Sequence, residues 1–139
     1  MRRFFDSRIK SLELCFRASE NSFSSSTFHT KCDGKANTLT LVETTAGHKM
    51  GGFTPVAWDS SSGYANDGTK KAFLFTLTNN EKYKLKEDSA TLIYSSYRHS
   101  TYGPTFGGGH DMYLANPANS GSNYCNIGHT YDTPNGYGT

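Results

Sequence analysis

Cysteine is scarce in this 139-residue chain and odd in number. Cys15, Cys32 and Cys125 stand far apart with no C-x-x-C pair, a pattern that argues against a disulfide framework or a zinc site. Long apolar runs are missing too: no window approaches the roughly 18 residues that span a bilayer, so membrane insertion is excluded. The start, Met1-Arg2-Arg3-Phe4-Phe5, meets Asp6 and Arg8 at once and lacks the apolar region of a signal peptide. No N-x-[ST] acceptor occurs. Together these absences point to a reducing, intracellular and cytoplasmic setting. The net charge is only +2, with lysines scattered among acids, so there is no basic stripe to follow a phosphate backbone and nucleic acid is excluded as a partner.

Motifs of chemistry are absent as well. None of His29, His48, His99, His110 and His129 falls in H-E-x-x-H or a comparable ligand spacing, and no G-x-S-x-G elbow gives Ser95 or Ser96 the context of a nucleophile. No metal and no cofactor is expected. Cys32 falls at a helix C-terminal end, where the dipole disfavours its thiolate. That leaves Cys125 as the thiol for any redox chemistry.

What is present is aromatic and glycine-rich: nine Phe, nine Tyr and 14 Gly, a mixture that favours β structure with many turns. The length suits one domain, residues 11–139, after a short segment 1–10. Leu12, Leu14 and Phe16 alternate with Glu13, Cys15 and Arg17, which predicts a first half-buried strand. Ser24 reads as the N-cap of a short helix, with Phe23 and Phe28 at staple positions, Phe28 and Cys32 on one face and Gly34 as the stop. Thr38 to Glu43 and Lys49 to Thr54 predict a hairpin turning at Ala46-Gly47 and ending at Pro55. A second hairpin follows, in which Phe73, Phe75 and Leu77 alternate with Leu74 and Thr76 before the Asn79-Asn80 turn. Thr91 to Tyr94 reads as a further strand. The expected core anchors are Leu12, Leu14, Phe16, Phe53, Trp58, Phe73, Phe75, Met112 and Leu114. Segments 60–68, 97–109 and 116–123 read as long exposed loops, and the tail 132–139 is loop-like.

The most constrained stretch runs from Tyr102 to Leu114. Pro104 restricts Gly103, and Gly107, Gly108 and Gly109 permit backbone forms or close approaches that a Cβ resists. Such a run serves either main chain packed against aromatic rings or the approach of a ligand. It is no phosphate cradle, because it opens a β-like stretch and carries no lysine. His110 and Asp111 would point to opposite faces of a strand, which argues against a shared metal ion. Gly103, Pro104, Phe106, Gly107, Gly108, Gly109, His110 and Asp111 are the candidate interaction motif.

In order, Leu12 to Ser19 before Phe23-Ser24, Phe28 to Asp33, Thr38 to Leu41, Gly51 to Thr54 with Trp58, Phe73 to Phe75, and Tyr102 to Leu114 resemble the TLDc domain of oxidation-resistance proteins. The likeness covers about residues 11–131. It implies a mainly β fold, a two-layer antiparallel β-sandwich flanked by a few short helices. It also implies protection against oxidative stress and, in several members, binding to the vacuolar proton-pumping ATPase and regulation of its assembly. No enzyme activity, and hence no catalytic residue set, comes with it. Two departures from the family pattern are a short approach to the first strand and no apolar closing strand. The expectation is an incomplete C-terminus, with lower stability or completion by a partner's strand. Beside the leading reading, a non-catalytic interaction module, stand a small enzyme or redox protein using His110, Asp111 or Cys125, and a truncated remnant with impaired folding.

Overall fold

Sequence alternation of apolar and polar residues builds two antiparallel sheets. The computed structural model describes residues 4–5 and 9–133, with the Ser89 side chain left aside. Its elements in chain order are α1 (Ala18–Asn21), α2 (Ser25–Cys32), β1 (Thr38–Glu43), β2 (Lys49–Thr54), β3 (Gly63–Ala65), β4 (Phe73–Thr76), β5 (Glu81–Lys84), α3 (Ser89–Leu92), β6 (Ser96–Arg98), β7 (Thr105–Phe106), β8 (Met112–Tyr113) and β9 (Tyr124–Cys125). One sheet has the order β1-β2-β4-β5 and the other β3-β6-β7-β8-β9. The fold is mainly β with a few short helices, as expected.

Both predicted hairpins form. β1 pairs with β2 from Thr38↔Thr54 to Glu43↔Lys49, and β4 pairs with β5 from Phe73↔Lys84 to Thr76↔Glu81. β2 stops at Thr54, where Pro55 can no longer donate to the ladder. The predicted helix also forms: the Ser24 side chain accepts from the Ser26 N–H, Phe28 and Cys32 face the core, and Gly34 follows at φ +81°. Between the sheets lie Trp58, Leu74, Tyr83, Phe106, Met112 and Tyr131, with Phe28 from α2 against the Trp58 ring at 5.6 Å. Gly52 lets the layers approach, since a Cβ there would stand 2.8 Å from the Phe106 ring.

The predicted first strand is absent. Residues 12–17 find no partner in a sheet, so their alternation is not read out: Leu12 and Leu14 are 69% and 62% exposed and are no core anchors. This segment is held instead by a Cys15–Cys32 disulfide, contrary to the expectation from cysteine spacing and removing the cysteine argument for a reducing setting, and by Phe16 against Phe28. Sequence distance hid the pair because the turn at 21–24 and α2 bring Cα atoms 17 residues apart to 5.8 Å. Phe16, Phe53 and Leu114 are half-buried; Trp58, Phe73, Phe75 and Met112 are fully buried. Phe73, Leu74 and Phe75 are buried alike, because Phe4 and Phe5 cover the outer side of β4. Thr91 to Tyr94 is no strand. Asp88 caps a turn of helix there by accepting from the Ala90 N–H, which settles the backbone before a strand can begin. The tail reading falls mostly on 134–139, and the approach to the first strand partly on 6–8, both outside the described residues.

Candidate functional site

Three of the expected long loops prove unequal. Segment 60–68 contains β3 and the buried Asp67, and 97–109 contains strand residues of β6 and β7, so neither is a free polar loop. Only 116–123 stays a largely exposed connection, with a cis Asn116–Pro117 bond. Sequence reading missed β3 and β6 because each is three residues long and lies among Ser, Gly and Arg. Their pairing with each other, Tyr64↔Tyr97, is a tertiary event.

The glycine run is a buried turn between β7 and β8. Gly103, Pro104, Phe106, Gly107 and Gly108 are buried, and only Gly109 is exposed. Gly107 has φ +88°, and a Cβ on it would stand within 2.0 Å of the Asp111 carboxylate. On Gly108 a Cβ would meet the His129 ring at 2.7 Å and the Tyr94 ring at 3.1 Å. Main chain therefore passes against aromatic rings here, the first of the two uses the sequence allowed.

His110 and Asp111 diverge, for reasons that differ from simple strand alternation. His110 lies in the turn at φ +65°, not on a strand. The wholly buried Asp111 carboxylate accepts from the N–H groups of Gly128, Thr130 and Tyr131 at 3.1 to 3.2 Å. It pins segment 126–131 under the second sheet, and Thr130 in turn accepts from the Gly108 N–H at 2.8 Å. Asp67 does the same work elsewhere, accepting from the N–H groups of Thr69, Lys71 and Ala72. Three backbone donors on a buried carboxylate satisfy it electrostatically, which is a structural employment.

Register across the second sheet sorts its residues into two rows. The inner row is Ala65, Ser96, Phe106, Met112 and Cys125; the outer row is Tyr64, Tyr97, Thr105, Tyr113 and Tyr124. His110 folds back over the gap left by the short Thr105, with its ring 5.2 Å from Tyr97, 5.7 Å from Tyr102 and 5.7 Å from Tyr113. Tyr64 meets Tyr97 at 4.8 Å, Tyr113 meets Tyr124 at 5.2 Å, and His99 stacks on Tyr97. Outward faces of antiparallel sheets are commonly polar. This one is a continuous band of tyrosine and histidine rings, of which Tyr64 and Tyr124 at its ends are exposed.

Burial pulls the His110 imidazole below its usual range, against the opposing pulls of the Gly107 backbone and the Asp111 carboxylate. Its Nδ1 is buried without a hydrogen-bond partner. Tyr113 is shifted upward by burial and by its neighbours Tyr102 and Tyr124. Cys125, though exposed as a residue, has its thiol pushed up by partial desolvation and by Asp111, away from the thiolate that reacts. Among the described residues no group of three or more His, Cys, Asp or Glu could hold a metal ion, and no helix is long and apolar enough to cross a membrane.

Set against known families, the chain matches the model described as the TLDc domain over residues 1–137. No curated protein matches it.

Proposed function

The chain belongs to the TLDc domain family, and from that premise we propose that residues 11–139 act as one non-catalytic interaction module that holds a protein partner through the tyrosine–histidine band. The observation that carries this reading is the outer row Tyr64–Tyr97–Thr105–Tyr113–Tyr124 with His110 beside it, a face on which four of five strands each present a tyrosine ring. Tyrosine brings wide, rigid contact area with a polar tip, and such residues dominate protein interfaces. The rigid sheet fixes their spacing before a partner arrives, so little ordering entropy is lost on binding.

The family resemblance supplies the finer part of the proposal: an intracellular role in oxidative-stress protection, with the vacuolar proton-pumping ATPase as the partner. Contact moves from the glycine run itself, which is buried, to the rings that the run supports. The catalytic alternative has no comparable support. The Asp111 carboxylate is occupied by backbone N–H groups, and the Cys125 thiol is shifted away from reactivity.

Capture of intact and disassembled pump by the wild-type chain and by the Tyr64→Ala/Tyr124→Ala double variant tests this. Both residues are exposed, so the fold should survive, as circular dichroism would verify. A tenfold or greater loss of capture is expected. Equal recovery by a folded variant would remove the band from the account.

A further inference from the structure

On the far side of the sandwich the first sheet turns a second, chemically different face outward. Register places Leu39, Phe53, Phe73 and Lys84 in one outward row, and Leu41, Gly51, Phe75 and Lys82 in the next. Phe5, Phe53 and Phe73 pack together at 5.3 to 6.1 Å. They floor an open trough of about 780 Å³. Its apolar lining includes Ile9 and Leu12, which are 47% and 69% exposed. Lys82 and Lys84, on the edge strand β5, give it a cationic bank, and Lys70 and Lys71 also line it.

Among the described residues no carboxylate pairs with any of these four ammonium groups. Lys82 lies 3.9 Å above the Phe73 ring and donates to the Phe4 carbonyl at 2.9 Å. Burial lowers its proton affinity, and the neighbouring Lys84 lowers it further. A partly desolvated cation crowded by another cation is a position that an incoming anion would relieve. The neighbouring apolar floor asks for something other than a simple anion.

We propose that this trough receives an amphipathic helix of a partner protein, with an apolar stripe lying on the phenyl floor and a flanking stripe of Asp and Glu meeting the lysine bank. The placement of Lys82 and Lys84 on the edge strand β5 matches a helix whose acidic residues adjoin only one edge of its apolar face. Scale agrees: a six-residue strand such as β1 spans roughly 20 Å, the length of a helix of about 13 residues. A flat membrane surface fits less well, because the rings lie at the bottom of a trough instead of protruding from it. The site is separate from the tyrosine–histidine band and stands without it.

The test uses an 18-residue helical peptide with leucines at i, i+3, i+4 and i+7 and glutamates along one flank, and a copy with lysines for the glutamates. Amide NMR shifts on the full chain are expected to move at Leu39, Phe53, Phe73 and Lys84 with the acidic peptide only, and more weakly at high salt. Lys71→Glu/Lys84→Glu should reduce affinity tenfold or more, as should Leu12→Glu, all three positions being exposed. Tyr64→Ala/Tyr124→Ala should bind as wild type, which separates failure here from failure of the band. Equal binding of both peptides, no binding at millimolar concentration, or preference for anionic vesicles or a thymidine oligonucleotide over the acidic peptide would overturn the proposal.

Discussion

At the scale of single residues, buried carboxylates that hold main chain do more for this molecule than any reactive group. Asp111 takes three N–H donors, and replacing it by Asn leaves one oxygen for work that two share. We expect Asp111→Asn to lose roughly 1.5–3 kcal/mol, the range for a hydrogen bond to a charged group. Denaturant unfolding would show it, and amide exchange should quicken at Gly128, Thr130 and Tyr131. Gly108 has no room for a side chain, so Gly108→Val should displace the Tyr94 and His129 rings and destabilise the turn. His110 gives a pH signature. Its folded affinity for protons is depressed by burial, so the unfolded chain binds the proton first as pH falls. Its contribution is therefore complete above the usual histidine value of 6.5 and is lost as pH falls from there through the folded value. His110→Asn, which tolerates the positive φ, should flatten that part of the stability profile; an unchanged slope would assign it to other groups.

Among the elements, α2 shows how far local signals reach. Ser24, Phe28 and Gly34 mark its start, buried face and stop, and each is legible because capping and periodicity act within a few residues. Its disulfide to Cys15 was not legible, because two cysteines 17 residues apart become neighbours only once the helix has turned back. A loop of that size is worth on the order of 3 kcal/mol in chain-entropy terms. Reduction, or Cys15→Ser/Cys32→Ser, should therefore lower the melting temperature clearly and loosen Phe16 from Phe28. No change on reduction would mean that the segment is held by packing alone. The alternation at Leu12, Leu14 and Phe16 misled for a related reason: period two describes a strand only where a sheet edge is there to receive it.

For the whole molecule, the two layers depend on one seam. Phe106 is wholly buried, touches Trp58 at 5.6 Å and would be struck by a Cβ on Gly52, so it belongs to both sheets. Phe106→Ala should cost about 3–5 kcal/mol. Trp58 fluorescence and far-ultraviolet circular dichroism should still report one shared midpoint, since the larger core lies between the sheets and is built by both. Separate midpoints would show that the layers unfold independently, and a broad wild-type melt would favour the impaired-folding reading.

By itself the sequence determined the sheet-rich class, the two long hairpins, the capped helix, Trp58 as a core anchor and the tight passage at Gly107–Gly108. All of these rest on contacts within a few residues or on side-chain chemistry that has one buried solution. Only the tertiary structure decided that Cys15 meets Cys32, that Asp111 turns to segment 126–131 while His110 folds over Thr105, and that Phe4 and Phe5 cover β4. The tyrosine band belongs to the same class: Tyr64, Tyr97, Tyr113 and Tyr124 are scattered over 61 positions, and sheet register aligns them. Long-range pairing carries no local period, so it becomes visible only when the strands have found one another.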